Sequence, residues 1–209
     1  MPHEKTVPEN AVAEKAAPRT KPSEERRADL MDAALRLFLD QGVATTTIEQ
    51  ITVGAAVAKG TFYLHFSSKE DVLIALRERF VRGLFDAVDM AVAERPNDDW
   101  RGRLEAWATA IINAYFDSIR LHDIVFHEFK PHSRAEHSDN VLVTHLAALL
   151  DAGTKAGAWQ VEDSRFMAVF LFHGFHGIVD DVVVVEKRVN RGRLGKKLAE
   201  VFFRAVRVS

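Results

Sequence analysis

Side chains that donate hydrogen bonds alternate with aromatic ones in the stretch KGTFYLHF, residues 59–66. The donors are Lys59, Thr61, Tyr63 and His65. If the stretch is a helix that buries Phe62 and Phe66, these donor side chains are left pointing outward. Ammonium, hydroxyl and imidazole groups bind phosphate oxygens and the polar edges of bases. The stretch therefore predicts a surface that contacts a nucleic acid.

Gly60 lies within this predicted helix, where glycine is less favourable than alanine by roughly 1 kcal/mol. We interpret it as a position where no side chain separates the helix from a sugar–phosphate backbone. Free N–H groups at the start of the helix add to the attraction for phosphate. The formal net charge of the chain is −2, but the segment from Gln50 to Ser68 contains one lysine and no acidic residue. The prediction of a nucleic-acid partner therefore depends on local charge placement, not on bulk charge.

The composition of the 209-residue chain excludes several other kinds of site. Without cysteine there is no disulfide, thiolate metal site or cysteine nucleophile. We find no G-x-S-x-G, phosphate-loop, His-Glu-x-x-His or paired Glu-x-x-His motif, so we expect no enzyme activity. No secretory signal is evident, and the most apolar stretch, residues 166–185, carries two histidines and two aspartates that are costly in lipid. We expect a cytoplasmic protein without a membrane span.

Apolar residues recur at helical spacing from Ser23 onward, and the first helix is expected to end near Gly42. A short helix is predicted over roughly 58–65, and a long one reaches about Arg95. Two capping boxes mark the starts of another short helix and of the long one, namely Thr46-Thr47-Ile48-Glu49 and Ser67-Ser68-Lys69-Glu70. A first helix of about eighteen residues and two of about seven are typical of a helix-turn-helix, whose last helix enters the DNA major groove.

The rest of the chain is also predicted to be helical, and no alternating run demands a strand. Pro96 breaks the long helix, and the segments that follow are residues 100–120, 123–129, 141–152, 163–186 and 191–207. The predicted fold is all-α, with an N-terminal three-helix helix-turn-helix domain and a C-terminal helical domain for ligand binding and dimerisation. The predicted divisions are a disordered tail over 1–22, the DNA-binding domain over 23–68 and the C-terminal domain over 69–209.

The segments DAALRLFLDQG, TTTIEQI and VAKGTFYLHFSSKEDVL follow one another over roughly residues 24–75. In this order they resemble the N-terminal DNA-binding domain of the TetR family of transcriptional repressors. The resemblance implies a homodimer on a palindromic double-stranded operator, released by a small-molecule effector. A transcriptional activator or a ligand-insensitive regulator on the same fold is the alternative.

The resemblance also implies DNA-binding roles for individual residues. Thr46 and Thr47 match phosphate contacts at the start of the second helix, and Lys69 matches the phosphate-binding lysine of the fourth. The matches in and after the recognition helix are Lys59, Gly60, Thr61, Tyr63 and His65.

Two alanines depart from the family pattern. Ala56 stands where a turn glycine is usual, and Ala58 stands where serine or asparagine usually caps the recognition helix. The missing cap should cost about 1 kcal/mol of local stability. Gly54 is the residue that could serve the turn instead.

The predicted helix over 163–186 is apolar on nearly every side, so it needs cover all round. One monomer of this size supplies that cover poorly, and Gly174 with Gly177 would allow another helix to approach closely. We therefore predict a homodimer through the two C-terminal helices, which would form a four-helix interface.

An apolar cavity for the effector is expected between the helices of residues 100–180. Its candidate lining residues are Trp107, Ile111, Phe126, His127, His145, Phe170 and His173. We expect no cofactor and no bound metal, although His122, His127, His173 and His176 leave a metal site open.

Overall fold

The computed structural model describes residues 22–128, 140–186 and 188–206, apart from the side chains at 127 and 128. All regular structure within these ranges is helical, as predicted. The elements are α1 (Ser23–Gln41), α2 (Ile48–Gly54), α3 (Lys59–Tyr63), α4 (Lys69–Ala93), α5 (Trp100–Asp117), α6 (Ile119–His122), a π-helical turn (Asp123–Glu128), α7 (Val141–Lys155), α8 (Ser164–Val185) and α9 (Arg191–Val206). The disordered tail predicted over 1–22 lies, except for Pro22, outside the described residues.

Helices α1 to α3 and the first part of α4 share one apolar core. It includes Leu30, Phe38, Ile51, Phe62, Phe66, Val72 and Leu76. Helix α1 ends as predicted at Gly42, whose φ of 84° is in the region that favours glycine. This core fixes α3 against α1, so the outward side of α3 is held by buried aromatic residues on its inward side.

The two predicted capping boxes are each displaced by one residue. Thr47, not Thr46, caps α2: its hydroxyl accepts a hydrogen bond from Gln50 N at 3.2 Å, and Gln50 Oε1 accepts from Thr47 N at 2.8 Å. Ser68 caps α4 by accepting from Asp71 N, while Asp71 accepts from the backbone of Ser67. Neither Glu49 nor Glu70 takes the predicted part, because each helix begins one residue later than the pattern indicated.

The C-terminal domain packs α5 between α4 and α9, with α7 against α8. Its core is rich in large side chains, and Trp107 and Trp159 are fully buried there. The indole N–H of Trp159 donates to the carbonyl of Leu150 at 2.7 Å, which holds the end of α7 against the following loop. The four valines at 182–185, the one β-prone patch of the sequence, end helix α8.

The π-helical turn joins the two halves of the molecule. Ile124 and Val125 are buried in the core shared by α1 to α4, whereas the preceding His122 lies among residues of the C-terminal half. On the same side, Arg120 donates to the carbonyl of Leu39 in α1 at 3.2 Å. A displacement of this turn would therefore act directly on α1 and α4.

Helix α8 is poorly covered within the protomer. By length and composition it could cross a membrane, with a mean hydropathy of 1.6, and only 28% of its most apolar window is buried. A core helix of a soluble protein passes the same test of length and composition. What distinguishes α8 is its low burial, which leaves a long apolar face exposed in the protomer.

Candidate nucleic-acid interface

Helix α3 has an inward and an outward face, as the sequence predicted. Phe62 and Phe66 are buried, and their rings contact each other with centroids 5.8 Å apart. Lys59 and Tyr63 are exposed on the opposite face, one helical turn apart. Thr61 and His65 are half-buried at its flank. The four predicted donors thus lie on one side of α3 or along its edge.

Gly60 lies on the same exposed face. A Cβ atom built at Gly60 would meet no atom within 4 Å, so packing inside the protomer gives no reason for glycine at this position. The backbone here is helical and does not require glycine either. Close approach of a DNA backbone at Gly60, as expected from the sequence, stays a prediction.

The turn between α2 and α3 is built around Ala56, not Gly54. Ala56 has a φ of 54°, a left-handed conformation that every residue except glycine adopts at a cost in free energy. Gly54 belongs to α2, where a Cβ would stand 3.4 Å from Ala33 of α1. The expectation that Gly54 serves the turn is therefore wrong, since this glycine allows α2 to pack closely on α1. Ala58 caps α3 without a side-chain hydrogen bond, as its residue type predicted.

The two threonines before α2 have different environments. Thr46 is 1% exposed, and its hydroxyl donates to the carbonyl of Gly42 at 2.8 Å and accepts from Gln41 Nε2 at 3.2 Å. Thr47 is exposed at the start of α2. Only Thr47 has a side chain that a phosphate could reach, so Thr46 is removed from the candidate interface.

Lys69 is half-buried at the start of α4 and points at the loop between α1 and α2. Its Nζ donates to the carbonyls of Val43 at 2.8 Å and Thr46 at 2.7 Å. These bonds fix the start of α4 to the loop that precedes α2. The positive charge remains close to Thr47, but its first partners are carbonyl groups of the protein.

Sequence reasoning missed two apolar residues on this surface. Leu64 follows α3 and is 80% exposed, and Val53 in α2 is 75% exposed. The signal for Leu64 was present, because it lies four residues after Gly60 and therefore on the same face of the helix. No comparable signal exists for Val53.

Comparison with known proteins identifies the family of this helix-turn-helix. Residues 30–76 match the family model of bacterial regulatory proteins of the tetR family. The matched range begins in α1, contains α2, α3 and the turn around Ala56, and ends in α4. Residues 30–76 carry the DNA-binding domain of the TetR family.

Curated TetR-family relatives and a solved structure agree with this assignment. The chain is 32% identical over 135 residues to the transcriptional activator FasR of Mycolicibacterium smegmatis, a match that covers 65% of this chain and 56% of FasR. It is 35% identical over 89 residues to the transcriptional repressor KstR2 of Rhodococcus jostii, covering 43% of each chain. A tetR-family regulatory protein from Rhodococcus RHA1 shares the fold at 20% identity, with a TM-score of 0.66 over 88% of this chain and 98% of that one.

The chain thus spans about half the length of these two curated relatives. The match over residues 30–76 covers the helix-turn-helix, and both relatives are named as transcription regulators. One of them is named as an activator and the other as a repressor.

The predicted effector-binding residues are not brought together around one cavity. Trp107 and Ile111 are fully buried in the core, while Phe170 is 62% exposed and His173 is exposed on the outer side of α8. His145 lies beside α4, 3.3 Å from Asp89. Phe126 packs at the π-helical turn, and the side chain of His127 lies outside the described residues. Phe170 and His173, the two residues of α8 in this prediction, both lie on the exposed side of the helix, away from the buried Trp107 and Ile111.

A polar cluster lies inside the C-terminal half, between α5, α6 and α8. Tyr115 Oη lies 3.1 Å from Nδ1 of the buried His122 and donates to Asp180 Oδ1 at 3.3 Å. His122 Nε2 lies 3.3 Å from His176 Nε2, and His176 Nδ1 lies 3.4 Å from Asp180 Oδ2. Burial, helped by the charge of Asp180, raises the pKa of Tyr115 well above its usual value, so the phenol stays a donor. The cluster ties α8 to the residue that precedes the π-helical turn.

The histidines left open as metal ligands divide between two places. His122 and His176 meet in this cluster, whereas His173 faces a groove between α8 and α9. Among the described side chains, no group of three or more histidines and carboxylates is placed to hold a metal ion.

Two large concavities are open to solvent. One of about 640 Å³ lies along α4 beside Val141 and includes Arg77, Arg82 and Phe85. The other, of about 610 Å³, is the groove between α8 and α9. The second is lined by the helices predicted to form the dimer.

Proposed function

We propose that the protein is a ligand-responsive transcriptional repressor that binds a palindromic operator as a homodimer. The observation that carries the proposal is the outward face of α3, where donor side chains surround a glycine that the protomer itself does not need. In a helix-turn-helix, such a face enters the major groove, and two copies bind about one DNA turn apart, ~34 Å. We further propose residues 23–68 as the DNA-binding domain and 69–209 as the ligand-binding and dimerisation domain.

The proposed DNA contacts follow from exposure on this surface. Thr47 and Lys69 lie near the starts of α2 and α4 and supply phosphate contacts. The contacts from α3 and its end are Lys59, Gly60, Thr61, Tyr63 and His65. Thr61 and His65 are half-buried and therefore reach less far than Lys59 and Tyr63.

The groove between α8 and α9 supports the dimer. A Cβ at Gly174 or Gly177 would meet nothing within 4 Å, which leaves room for a partner helix. The α8 side of the groove carries Asp181, and the α9 side carries Arg193 and Lys197. A two-fold axis would place the acidic side of one protomer against the basic side of the other, which makes the surface self-complementary.

We propose that the effector acts through the contact between α8 and the π-helical turn. The polar cluster links Asp180 and His176 of α8 to His122, and Val125 three residues later is buried in the core that seats α1 and α4. An effector that displaces α8 or α5 would move this turn, tilt α4 and change the distance between the two copies of α3. Such coupling requires that the effector bind the two arrangements with different affinity.

Selection of bound duplexes from a random pool tests the proposal. We expect recovered sites with two inverted half-sites about one helical turn apart, and sedimentation at low concentration should show a dimer. A monomer that retains no duplex at low ionic strength would refute both the operator and the dimer.

An activator is the second candidate, because the relative FasR carries that name. The recovered operator placed upstream of a reporter separates the two. A rise in reporter expression on deletion of the protein indicates repression, and a fall indicates activation.

A further inference from the structure

The exposed apolar side chains of the described residues are concentrated on two surfaces. Eight of the fourteen large ones lie on α8 and α9, the proposed dimer surface, and three lie on the helix-turn-helix: Val53, Tyr63 and Leu64. Isolated apolar residues on a surface need no special explanation. Leu64 is different because it lies on the face of α3 that carries the proposed DNA contacts.

We propose that Leu64 is a specificity-determining residue that reads the C5-methyl group of a thymine in each operator half-site. The inference rests on the proposed function and adds one specific base contact to it. The thymine methyl is the only apolar group that a T·A pair presents in the major groove. A leucine cannot form a side-chain hydrogen bond, so an apolar contact with this methyl is the direct base readout available to it.

The position of Leu64 favours this contact. It lies one helical turn after Gly60, whose missing side chain lets this face of α3 approach the duplex closely. The exposed Tyr63 and Lys59 beside it supply donors, so the leucine is next to groups that position the helix on the DNA.

The backbone of Leu64 is held while its side chain is free of protein cover. Its N–H donates to the carbonyl of Thr61 at 3.3 Å, and the N–H groups of His65 and Phe66 both donate to Phe62 at 2.9 Å. Phe62 and Phe66, two residues to either side, are buried in the core. The side chain therefore projects from a fixed point, which a contact that discriminates one methyl group requires.

Replacement of thymine by uracil tests the contact, because it removes only the methyl group. The full-length protein would be titrated against its selected operator with uracil placed at one thymine per half-site in turn. For the wild-type protein we expect one thymine whose replacement weakens binding by about fourfold for each half-site, the value of one buried methyl group. Leu64→Ala should bind the thymine and uracil duplexes equally, and Leu64→Met should keep the preference.

Val53→Ala is the matched control. Val53 is nearly as exposed as Leu64 but lies on α2, which in a helix-turn-helix crosses the backbone and does not enter the groove. This variant should keep the wild-type ratio of thymine to uracil affinity, and thermal unfolding should show that all variants remain folded.

The proposal is overturned if no thymine in the wild-type operator is sensitive to methyl removal, or if Leu64→Ala keeps the sensitivity. Both outcomes leave the proposed function intact, because the operator would still be bound. Absence of any selected duplex would instead refute the proposed function and this contact with it.

Discussion

Single positions around α3 divide into those where the fold restricts the backbone conformation and those where the fold does not explain the residue. At Ala56 the fold sets a requirement, a positive φ of 54°, although alanine is not the residue that meets it best. Gly60 is of the second kind, since neither its conformation nor its neighbours require glycine. Substitutions at the two positions should therefore act on different properties of the protein.

Ala56→Gly should stabilise the protein. Glycine adopts a positive φ without the steric cost that alanine carries, so we expect the free energy of unfolding to rise by about 1 kcal/mol. Chemical denaturation of the two proteins measures this difference. Gly157 has a φ of 76° and is exposed, so Gly157→Ala is the reverse control and should lower stability by a similar amount.

Gly60→Ala should separate folding from binding. Alanine is the better residue in a helix and meets no atom within 4 Å, so stability should stay the same or rise by up to about 1 kcal/mol. Affinity for the operator should fall by about tenfold or more, because a methyl group would stand between α3 and the DNA backbone. Unchanged affinity in a filter-binding or anisotropy titration would show that no backbone passes close to this position.

At the scale of elements, the feature with the greatest consequence is the contact between α8 and the π-helical turn. The sequence indicated a short helical piece at residues 123–129 but not its widened turn, which buries Ile124 and Val125 in the other half of the molecule. The polar cluster around Tyr115 connects this turn to α8.

Tyr115→Phe should change how stability depends on pH. The folded protein retains the phenolic proton above pH 10 because burial and Asp180 raise the pKa of Tyr115, whereas the unfolded chain loses it near pH 10. The unfolded state then binds fewer protons, so this group makes stability fall as pH rises, by at most about 1.4 kcal/mol per pH unit. Denaturation between pH 9 and 11 should show a smaller decline for Tyr115→Phe than for the wild type.

Near pH 7 the same variant should be less stable by about 1 kcal/mol, because it lacks the hydrogen bond to Asp180. The chain has one other tyrosine, the exposed Tyr63, so Tyr63→Phe controls for the titration of an ordinary phenol. Equal slopes for all three proteins would mean that Tyr115 does not keep its proton.

For the whole molecule, the main question is what covers the outer side of α8. Gly177→Leu tests the proposed two-fold interface. The protomer has room for the new side chain, but a partner helix lying in the groove would clash with it. We therefore expect a monomer in sedimentation and at least a tenfold weaker affinity for the full operator.

Gly83→Leu is the matched control, since Gly83 is also helical with nothing within 4 Å, but it lies on α4 outside the groove. It should remain a dimer with wild-type affinity. A dimeric Gly177→Leu protein would place the interface elsewhere.

Local chemistry in the sequence determined the helical fold, the family and the faces of α3. Periodicity of apolar residues needs only neighbours three or four positions away, so the sequence alone placed Phe62 and Phe66 inward and Lys59 and Tyr63 outward. The same local signals misplaced both caps by one residue, because adjacent hydroxyl groups, each followed three residues later by a carboxylate or an amide, offered two registers.

Contacts between distant segments were decided only by the tertiary structure. Thr46 and Thr47 look alike in sequence, yet packing against Gly42 buries one and leaves the other exposed. Likewise, the side of α8 that each aromatic or histidine residue faces depends on the helices packed against α8, such as α7. Phe170 and His173 were therefore assigned to one pocket with Trp107, whereas among the described residues Trp107 is buried and the other two are exposed. A helix that is apolar on every side carries no periodic signal to say which side is the core, so only the packing of its neighbours decides.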